Sequence, residues 1–164
     1  MIAQMDARSG GHRCRGVVVY SDAPTITVMP MPDLQPLRLV PGDDLRRALE
    51  ARCASEGRSG FVVAGIGSLT DARLRLAAAD GETVVEGPSE LLSLSGSLSP
   101  DGAHLHASVA DAQGRVTGGH LAHGCVVRTT AELLIAWLDE WALSRRPDAA
   151  TGFKELDVRP RAAP

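Results

Sequence analysis

The stretch P-D-G-A-H-L-H-A-S-V-A-D-A-Q-G-R-V-T-G-G-H-L-A-H-G-C, residues 100–125, decides the fold and contains four of the five histidines of the 164-residue chain. Two alternating runs, 104–110 and 115–121, flank Asp111-Ala112-Gln113-Gly114. Asp at the first position of a type I turn, with Gly where the backbone must be left-handed, is typical of a three-residue hairpin loop with a bulge. The stretch therefore predicts an antiparallel hairpin.

The register of this hairpin brings three imidazoles together. When Asp111 faces Arg115, His106 lies opposite His120, and His104 lies two residues from His106 on the same face, about 7 Å away. Three neutral imidazoles with an open fourth position are the ligand set of catalytic rather than structural zinc. Polar side chains on a solvated strand face have the same spacing, so the residues alone leave both interpretations open.

The composition is that of one globular domain with an unusual core. Hydrophobic residues make up 44% of the chain, but aromatic residues only 3%, so Leu, Val and Ala must do the packing. Such small side chains seldom complete a deep core, which leaves room for burial at a subunit interface. The formal net charge of −3 disfavours nucleic acid as a partner, because nucleic-acid binders carry a basic face.

Cysteine usage and the N-terminus bear on the cellular compartment. Cys14, Cys53 and Cys125 are odd in number and widely spaced, so they form neither a disulfide framework nor a CxxC metal motif. The first residues lack the apolar run of a signal peptide, and no apolar run could span a bilayer. We therefore predict a soluble, cytoplasmic protein without a membrane partner.

The N-terminal part predicts little regular structure before one helix. Because residues 1–15 are polar, we expect a mobile tail there, and we expect a short edge strand at 16–20. Five prolines in 23–41 restrict that segment to extended or turn conformations. The helix signals then coincide: an N-cap at Asp43 or Asp44, an end at Gly57, and one apolar stripe. That stripe comprises Leu45, Ala48, Leu49 and Cys53.

Most of the remaining chain predicts strands. These are a central strand at 59–66, an alternating strand at 69–77, an Asp80-Gly81 hairpin turn leading to 83–86, a Leu/Ser strand at 90–98, and a turn at 99–102. The segment 129–143 conflicts with this trend. Thr129 and Glu132 match a capping box, and Leu134, Trp137, Leu138 and Trp141 have helical spacing. Periodicity alone predicts a helix there.

Four further residues or pairs near the histidines have a structural and a functional interpretation. Gly118-Gly119 permits the close approach of another backbone or ligand, or marks a bulge. His123 points away from His120, so we expect it to be a structural residue or a group in the outer shell of the site. We expect Cys125 to be a buried, inert thiol, with a thiolate ligand supplied from a neighbouring subunit as the alternative. We expect Arg73 and Arg75 to lie on the solvated face of a strand.

The order of these segments resembles the PPC domain (plants and prokaryotes conserved), in its stand-alone bacterial type. The resemblance rests on R-L-V-P-G-D-D-L (38–45), G-I-G-S-L-T-D-A (65–72), E-L-L-S-L-S-G-S-L (90–98), 104–121, G-C-V-V-R-T-T-A-E-L-L-I (124–135) and T-G-F-K-E-L (151–156). It gives three regions: an N-terminal extension, mobile and then Pro-rich, at 1–36, a PPC-like domain at 37–158, and a C-terminal tail at 159–164.

The resemblance implies an α+β fold, a largely antiparallel sheet with one main helix packed on it, assembled as a homotrimer. It also implies a strand at about 125–136, with any helix confined to 137–143. Prokaryotic members share a His-x-His and a Gly-Gly-His pattern, similar to a metal-binding triad, which carries over to His104, His106 and His120 with a divalent metal, zinc by preference. Glu90 matches an acidic position of the family. It is a candidate proton carrier or outer-shell partner, and equally a strand-end carboxylate in water.

Three hypotheses of function follow. The first is a homotrimeric metal-binding domain of binding or DNA-associated regulatory character. The second is a metal-dependent enzyme acting on a small metabolite through a metal-bound water, with Glu90 carrying the proton. The third is regulation by direct DNA contact. Neither R-C-R-G (13–16) nor V-R-P-R (158–161) supplies the Arg-Gly-Arg-Pro core with which an AT-hook enters the minor groove.

Overall fold

A computed structural model describes the backbone of residues 3–9, 12–19 and 27–30 and, in full, residues 33–161. The chain forms two compact units, 1–33 and 34–164. In the first, β1 (Ala3–Ser9), β2 (His12–Val19) and β3 (Thr27–Pro30) form an antiparallel sheet with β2 in the middle. Strand backbone thus occupies much of the predicted mobile tail, and the predicted edge strand is the end of a central one. Tyr20 lies outside the described residues.

The second unit is built on an eight-stranded, largely antiparallel sheet. Its strands are β4 (Asp33–Leu39), β5 (Ser59–Leu69), β6 (Ala72–Arg75), β7 (Thr83–Val85), β8 (Ser89–Ser99), β9 (Gly102–Ala110), β10 (Val116–Leu121) and β11 (Val127–Leu138). They lie in the order β4-β11-β5-β8-β9-β10-β6-β7. A separate hairpin pairs β12 (Trp141–Pro147) with β13 (Lys154–Pro160).

Pro36 lies in the edge strand β4, where a missing N–H donor is tolerated.

The helix predicted from sequence is α1 (Leu45–Glu56), and it is the one helix within the described part of the chain. The Asp44 side chain accepts a hydrogen bond from the Arg47 N–H at 3.0 Å, and Gly57 forms the C-cap with φ of 62°. Leu45, Leu49 and Cys53 are buried against the sheet, as the apolar stripe predicts. The predicted arrangement of one main helix packed on a mostly antiparallel sheet is confirmed.

Strand alternation gives this sheet two different faces. The inner face packs on α1 and carries buried side chains such as Val62, Leu94 and Leu105. We call the other side the open face. The strand pairings and the burial pattern assign to it Ile66, Arg75, Glu90, Leu92, Ser95, Ser97, His104, His106 and His120.

The helix that local spacing predicts over 129–143 is not formed. Residues 127–138 form a strand, as the family resemblance implies, and 137–143 contain no helix but the end of β11 and the start of β12. Burial at Leu133, Ile135 and Trp137 follows a period of two, because β11 lies between β4 and β5 in the sheet. Helical spacing was therefore overridden by tertiary pairing.

The region 69–86 also departs from its pattern. The predicted strand 69–77 is interrupted after Leu69, because the chain leaves β5 in the middle of the sheet to reach β6 near the far edge. The Asp71 carboxylate accepts a hydrogen bond from the Gly87 N–H at 2.9 Å. β6 and β7 do pair, but Asp80-Gly81 lies inside the longer loop 76–82 instead of forming a tight turn.

The Asp44 cap provides a test of this fold. Besides the Arg47 N–H, the Asp44 carboxylate accepts a hydrogen bond from the Gly124 N–H at 2.7 Å, so it joins α1 to the segment after β10. We expect Asp44→Ala to lower the free energy of unfolding by about 1–2 kcal/mol. The measurement is urea denaturation. Asp44→Asn is the comparison variant: Asn caps helices well but has one acceptor oxygen, so it can keep the bond to Arg47 and not the bond to Gly124, and we expect an intermediate midpoint. Equal midpoints for Asp44→Ala and the parent protein would contradict the assignment.

Candidate metal centre

The hairpin that carries the histidines has the register predicted from its turn. The Asp111 N–H donates to the Arg115 carbonyl at 3.0 Å, and Gly114 has a φ of 77°, a left-handed conformation that favours glycine. The Asp111 carboxylate also accepts hydrogen bonds from the backbone N–H groups of Gln113 and Arg115, each at 2.9 Å. His106 is consequently paired with His120.

The three imidazoles converge on the open face. The distance from His104 Nε2 to His120 Nδ1 is 3.1 Å, and that from His104 Nε2 to His106 Nε2 is 3.4 Å. One nitrogen of each ring lies within 4.8 Å of the other two. Tetrahedral zinc with bonds of about 2.0–2.1 Å requires nitrogens roughly 3.3 Å apart. The donor set and its spacing therefore fit a divalent metal such as zinc.

The strand register also fixes what surrounds the triad. Ser97 lies opposite His104 and Ser95 opposite His106, while Arg75 lies opposite His120. A Cβ atom on Gly119 would come within 2.7 Å of the Arg75 carbonyl oxygen. The glycine thus allows the backbone of β6 to approach β10 closely beside the histidines.

A cavity of about 220 Å³ borders the triad where β9 and β10 separate. The His106–His120 pair is the last between these strands, while on its other edge β10 continues to pair with β6 through Leu121 and Leu74. Arg46 of α1 bridges the gap, because it donates to the Leu121 and Ala103 carbonyl oxygens, each at 2.9 Å. The cavity is lined by His104, Leu105, His120, Arg46, Arg75, Glu82, Ala103, Leu121 and Ala122.

Arg145 of β12 contacts His104 of the triad. Its guanidinium hydrogen-bonds to Ser97 Oγ at 3.1 Å and to His104 Nδ1. Arginine can only donate, so His104 Nδ1 accepts and the proton of the neutral ring lies on Nε2. A metal bound at His104 Nε2 would take the place of that proton. If the proton moved to Nδ1, it would face the donating Arg145 guanidinium, and Arg145 would have to move. If the proton left the ring, His104 would become an imidazolate and Arg145 could stay.

Burial and nearby positive charge lower the pKa of two of these imidazoles, those of His104 and His120. Burial, Arg145 and the other two histidines lower the pKa of His104 to about 4. Burial, His106, Arg75 and Arg46 lower the pKa of His120. Neutral imidazole is the form that binds metals, so a lowered pKa favours the metal-binding form of His104 and His120.

Glu90 lies away from the histidines. It pairs with Ala110, four residues along β9 from His106, which corresponds to roughly 13 Å. It borders a different cleft of about 490 Å³, together with Ile66, Ser68, Arg128 and Glu132 among others. Within one chain the structure does not bring Glu90 to the candidate metal centre.

The other residues singled out in the sequence have structural contacts. His123 Nε2 lies 2.8 Å from Glu50 Oε2 of α1. Cys125 is buried, its thiol contacts the Arg73 backbone N–H at 3.2 Å, and burial raises its pKa to about 11. These contacts match a structural histidine and an inert thiol.

Sequence reasoning missed the arginines around the triad. Alternation with Leu74 correctly predicted an outward Arg75, but only the β6–β10 pairing shows that it faces His120. Arg46 belongs to α1, which precedes the histidines in the chain, and Arg145 belongs to β12, 41 residues after His104. No local pattern could have linked them to His104.

The PPC resemblance is matched by comparison with known proteins. The family model described as Plants and Prokaryotes Conserved (PCC) domain matches residues 33–139. The bifunctional protein GlmU of Synechococcus sp. (strain JA-2-3B'a(2-13)) is 48% identical over 136 residues, covering 80% of this chain and 22% of that protein. The chain thus spans about a fifth of the length of the curated relatives that it matches.

Solved structures share the fold. A hypothetical protein from Salmonella enterica has a TM-score of 0.77 and 38% identity, with 80% of this chain and 96% of that chain covered. A metal-containing protein from Archaeoglobus fulgidus has a TM-score of 0.64 and 26% identity, with 77% and 98% covered. A protein from Bacteroides thetaiotaomicron whose name refers to DNA binding has a TM-score of 0.69 and 22% identity, with 79% and 94% covered, and shows the fold alone.

Within the described residues no helix is long and apolar enough to cross a membrane.

The Arg145 contact predicts a measurable pKa change in metal-free protein. We expect His104 to titrate near pH 4, and Arg145→Gln to raise that pKa part of the way toward its ordinary value, because burial still acts. NMR titration of the ring signals measures it. Since the pKa of His104 is lowered on folding, its contribution to stability is present above about pH 6.5 and is lost as the pH falls toward 4.

Arg115→Gln is the control for this titration. Arg115 lies at the turn of the same hairpin, is highly exposed, and pairs with Asp111 rather than with an imidazole. An unchanged His104 pKa in Arg145→Gln, or an equal rise in Arg115→Gln, would refute the assigned contact.

Proposed function

Because the chain belongs to the Plants and Prokaryotes Conserved (PCC) domain family, also abbreviated PPC, we propose that it works as a homotrimeric metal-binding domain. His104, His106 and His120 would be the ligands, and the function would be one of binding or regulation. The observation that carries the proposal is the convergence of three imidazole nitrogens, two of whose separations are 3.1 and 3.4 Å.

The chemistry of the donors supports zinc. Borderline-soft zinc is commonly held by imidazole, whereas magnesium and calcium prefer oxygen ligands. Three protein ligands would leave one coordination position toward solvent or the adjacent cavity. The name of the Archaeoglobus fulgidus relative, a metal-containing protein at 26% identity, agrees with this proposal.

Removing one imidazole tests the ligand set. We expect the purified parent protein, loaded with zinc and then dialysed, to hold one ion per chain, and His106→Ala to lose it, because two imidazoles hold zinc far more weakly than three. Elemental analysis measures the ratio. His106 is the most exposed of the three rings, so its removal should perturb folding least.

His123→Ala is the matched control for the metal experiment. It removes an exposed imidazole whose partner is Glu50, outside the triad. Full zinc content in His106→Ala, or an equal loss in His123→Ala, would rule out the proposed ligands.

The open face supports the proposed homotrimer. Ile66 is 56% exposed and Leu92 48% exposed on the sheet side that α1 does not cover. Val63, three residues before Ile66 on β5, is 54% exposed. Several large apolar side chains exposed on neighbouring strands are typical of subunit interfaces, and a core poor in aromatic residues gains stability from such burial.

A charge on this face tests the assembly. We expect the parent protein to sediment with three chain masses and Ile66→Asp to sediment as a smaller species, because an unpaired carboxylate is costly to bury. Analytical ultracentrifugation measures the mass. Val40→Asp places the same charge at an exposed apolar position between β4 and α1 and should leave the mass unchanged; a trimeric Ile66→Asp protein would argue against an interface at this face.

A metal-dependent enzyme acting on a small metabolite is the second candidate function. The cavity beside His104 and His120 favours it, because a substrate needs a concave site at the open coordination position. Glu82, rather than Glu90, is the carboxylate among the described residues that line this cavity. DNA association remains a prediction from the family resemblance.

A further inference from the structure

We propose that the cavity beside the histidines takes a small oxyanion, a carboxylate or phosphate group, which Arg75 holds next to the metal position. This inference rests on the proposed metal site and names the ligand class that the site would accept. It follows from the position of Arg75, from the charges that line the cavity, and from its size.

Arg75 is placed to bind a ligand from outside the protein. It is the cross-strand partner of His120, and its side chain lines the cavity. Within residues 33–161 its exposed guanidinium has no hydrogen-bond acceptor or carboxylate partner. The two nearby arginines differ: Arg46 donates to Glu50 and to two backbone carbonyls, and Arg73 lies 3.9 Å from Glu82.

The charges that line the cavity select an anion. Arg46 and Arg75 both line it, and Glu82 is the carboxylate that the described residues contribute, already close to Arg73. The local balance is thus positive in a chain with a formal net charge of −3. A divalent ion on the triad would add further positive charge, and it would make a neutral or cationic ligand a still poorer match.

The geometry and volume define the class of anion. A guanidinium presents a planar fork of N–H donors that matches two oxygens of a carboxylate or phosphate. One oxygen of such a group could take the coordination position that three imidazoles leave open, which leaves one oxygen of a carboxylate, or two or more oxygens of a phosphate, to face Arg75. A volume of about 220 Å³ limits the ligand to a small molecule.

Isothermal titration calorimetry of the zinc-loaded full chain tests the inference. Acetate and inorganic phosphate are the two probes, titrated separately, so that the carboxylate and phosphate sources are distinguished. We expect at least one to bind with one site per chain. Arg75→Gln should weaken that binding by about ten- to hundredfold, the usual effect of losing a charge-assisted hydrogen bond.

Arg128→Gln is the matched control. Arg128 is an exposed arginine of the same sheet, in β11, and it borders the other cleft. The substitution makes the same change in net charge and should leave the affinity unchanged. Arg75→Lys adds a second test, because it keeps the charge but loses the fork, and it should bind with intermediate affinity.

The outcomes separate the two proposals when zinc content is measured before and after each titration. If zinc is bound and neither probe binds, or if Arg75→Gln and Arg128→Gln weaken binding equally, the anion site is wrong while the metal site stands. If the parent protein holds no zinc, the proposed metal site fails, and this inference fails with it.

Discussion

The pairing of His106 with His120 across β9 and β10 is the constraint on which the site depends. Side chains alternate along a strand, so a register shift of one residue would turn His120 toward the inner face and separate it from His104 and His106. The turn prevents that shift, because the Asp111 carboxylate and the left-handed Gly114 define which residues end the two strands. Gly119 then admits the β6 backbone, so the same register also places Arg75.

The same pair marks the point at which the sheet opens. Beyond it β9 and β10 no longer pair, and Arg46 satisfies the carbonyl oxygens of Ala103 and Leu121 that would otherwise lack a partner there. A gap in a sheet is costly unless its backbone groups are hydrogen-bonded. The helix that completes the core therefore also supports a polar cavity beside the histidines, and the stable fold and the candidate site share one set of contacts.

Local sequence signals predicted those features whose causes are local. The cap at Asp44, the end at Gly57 and the turn at 111–114 depend on residues a few positions apart, and each is confirmed. The convergence of the three imidazoles followed from that turn. In contrast, the helical spacing of Leu134, Trp137 and Leu138 was misleading, because the position of β11 between two strands overrides local preference. Arg46, Arg75 and Arg145 were missed as parts of the site because each reaches it through tertiary pairing.

The central claim is that the converging imidazoles hold a metal ion, and its most direct test is a crystal structure of zinc-loaded protein with anomalous diffraction measured at the zinc edge. The account predicts one strong anomalous peak per chain, bonded to His104 Nε2, His120 Nδ1 and a ring nitrogen of His106, with Arg145 moved away from His104 Nδ1 or the His104 ring present as an imidazolate. A peak elsewhere, or three imidazoles without any peak between them, would contradict it.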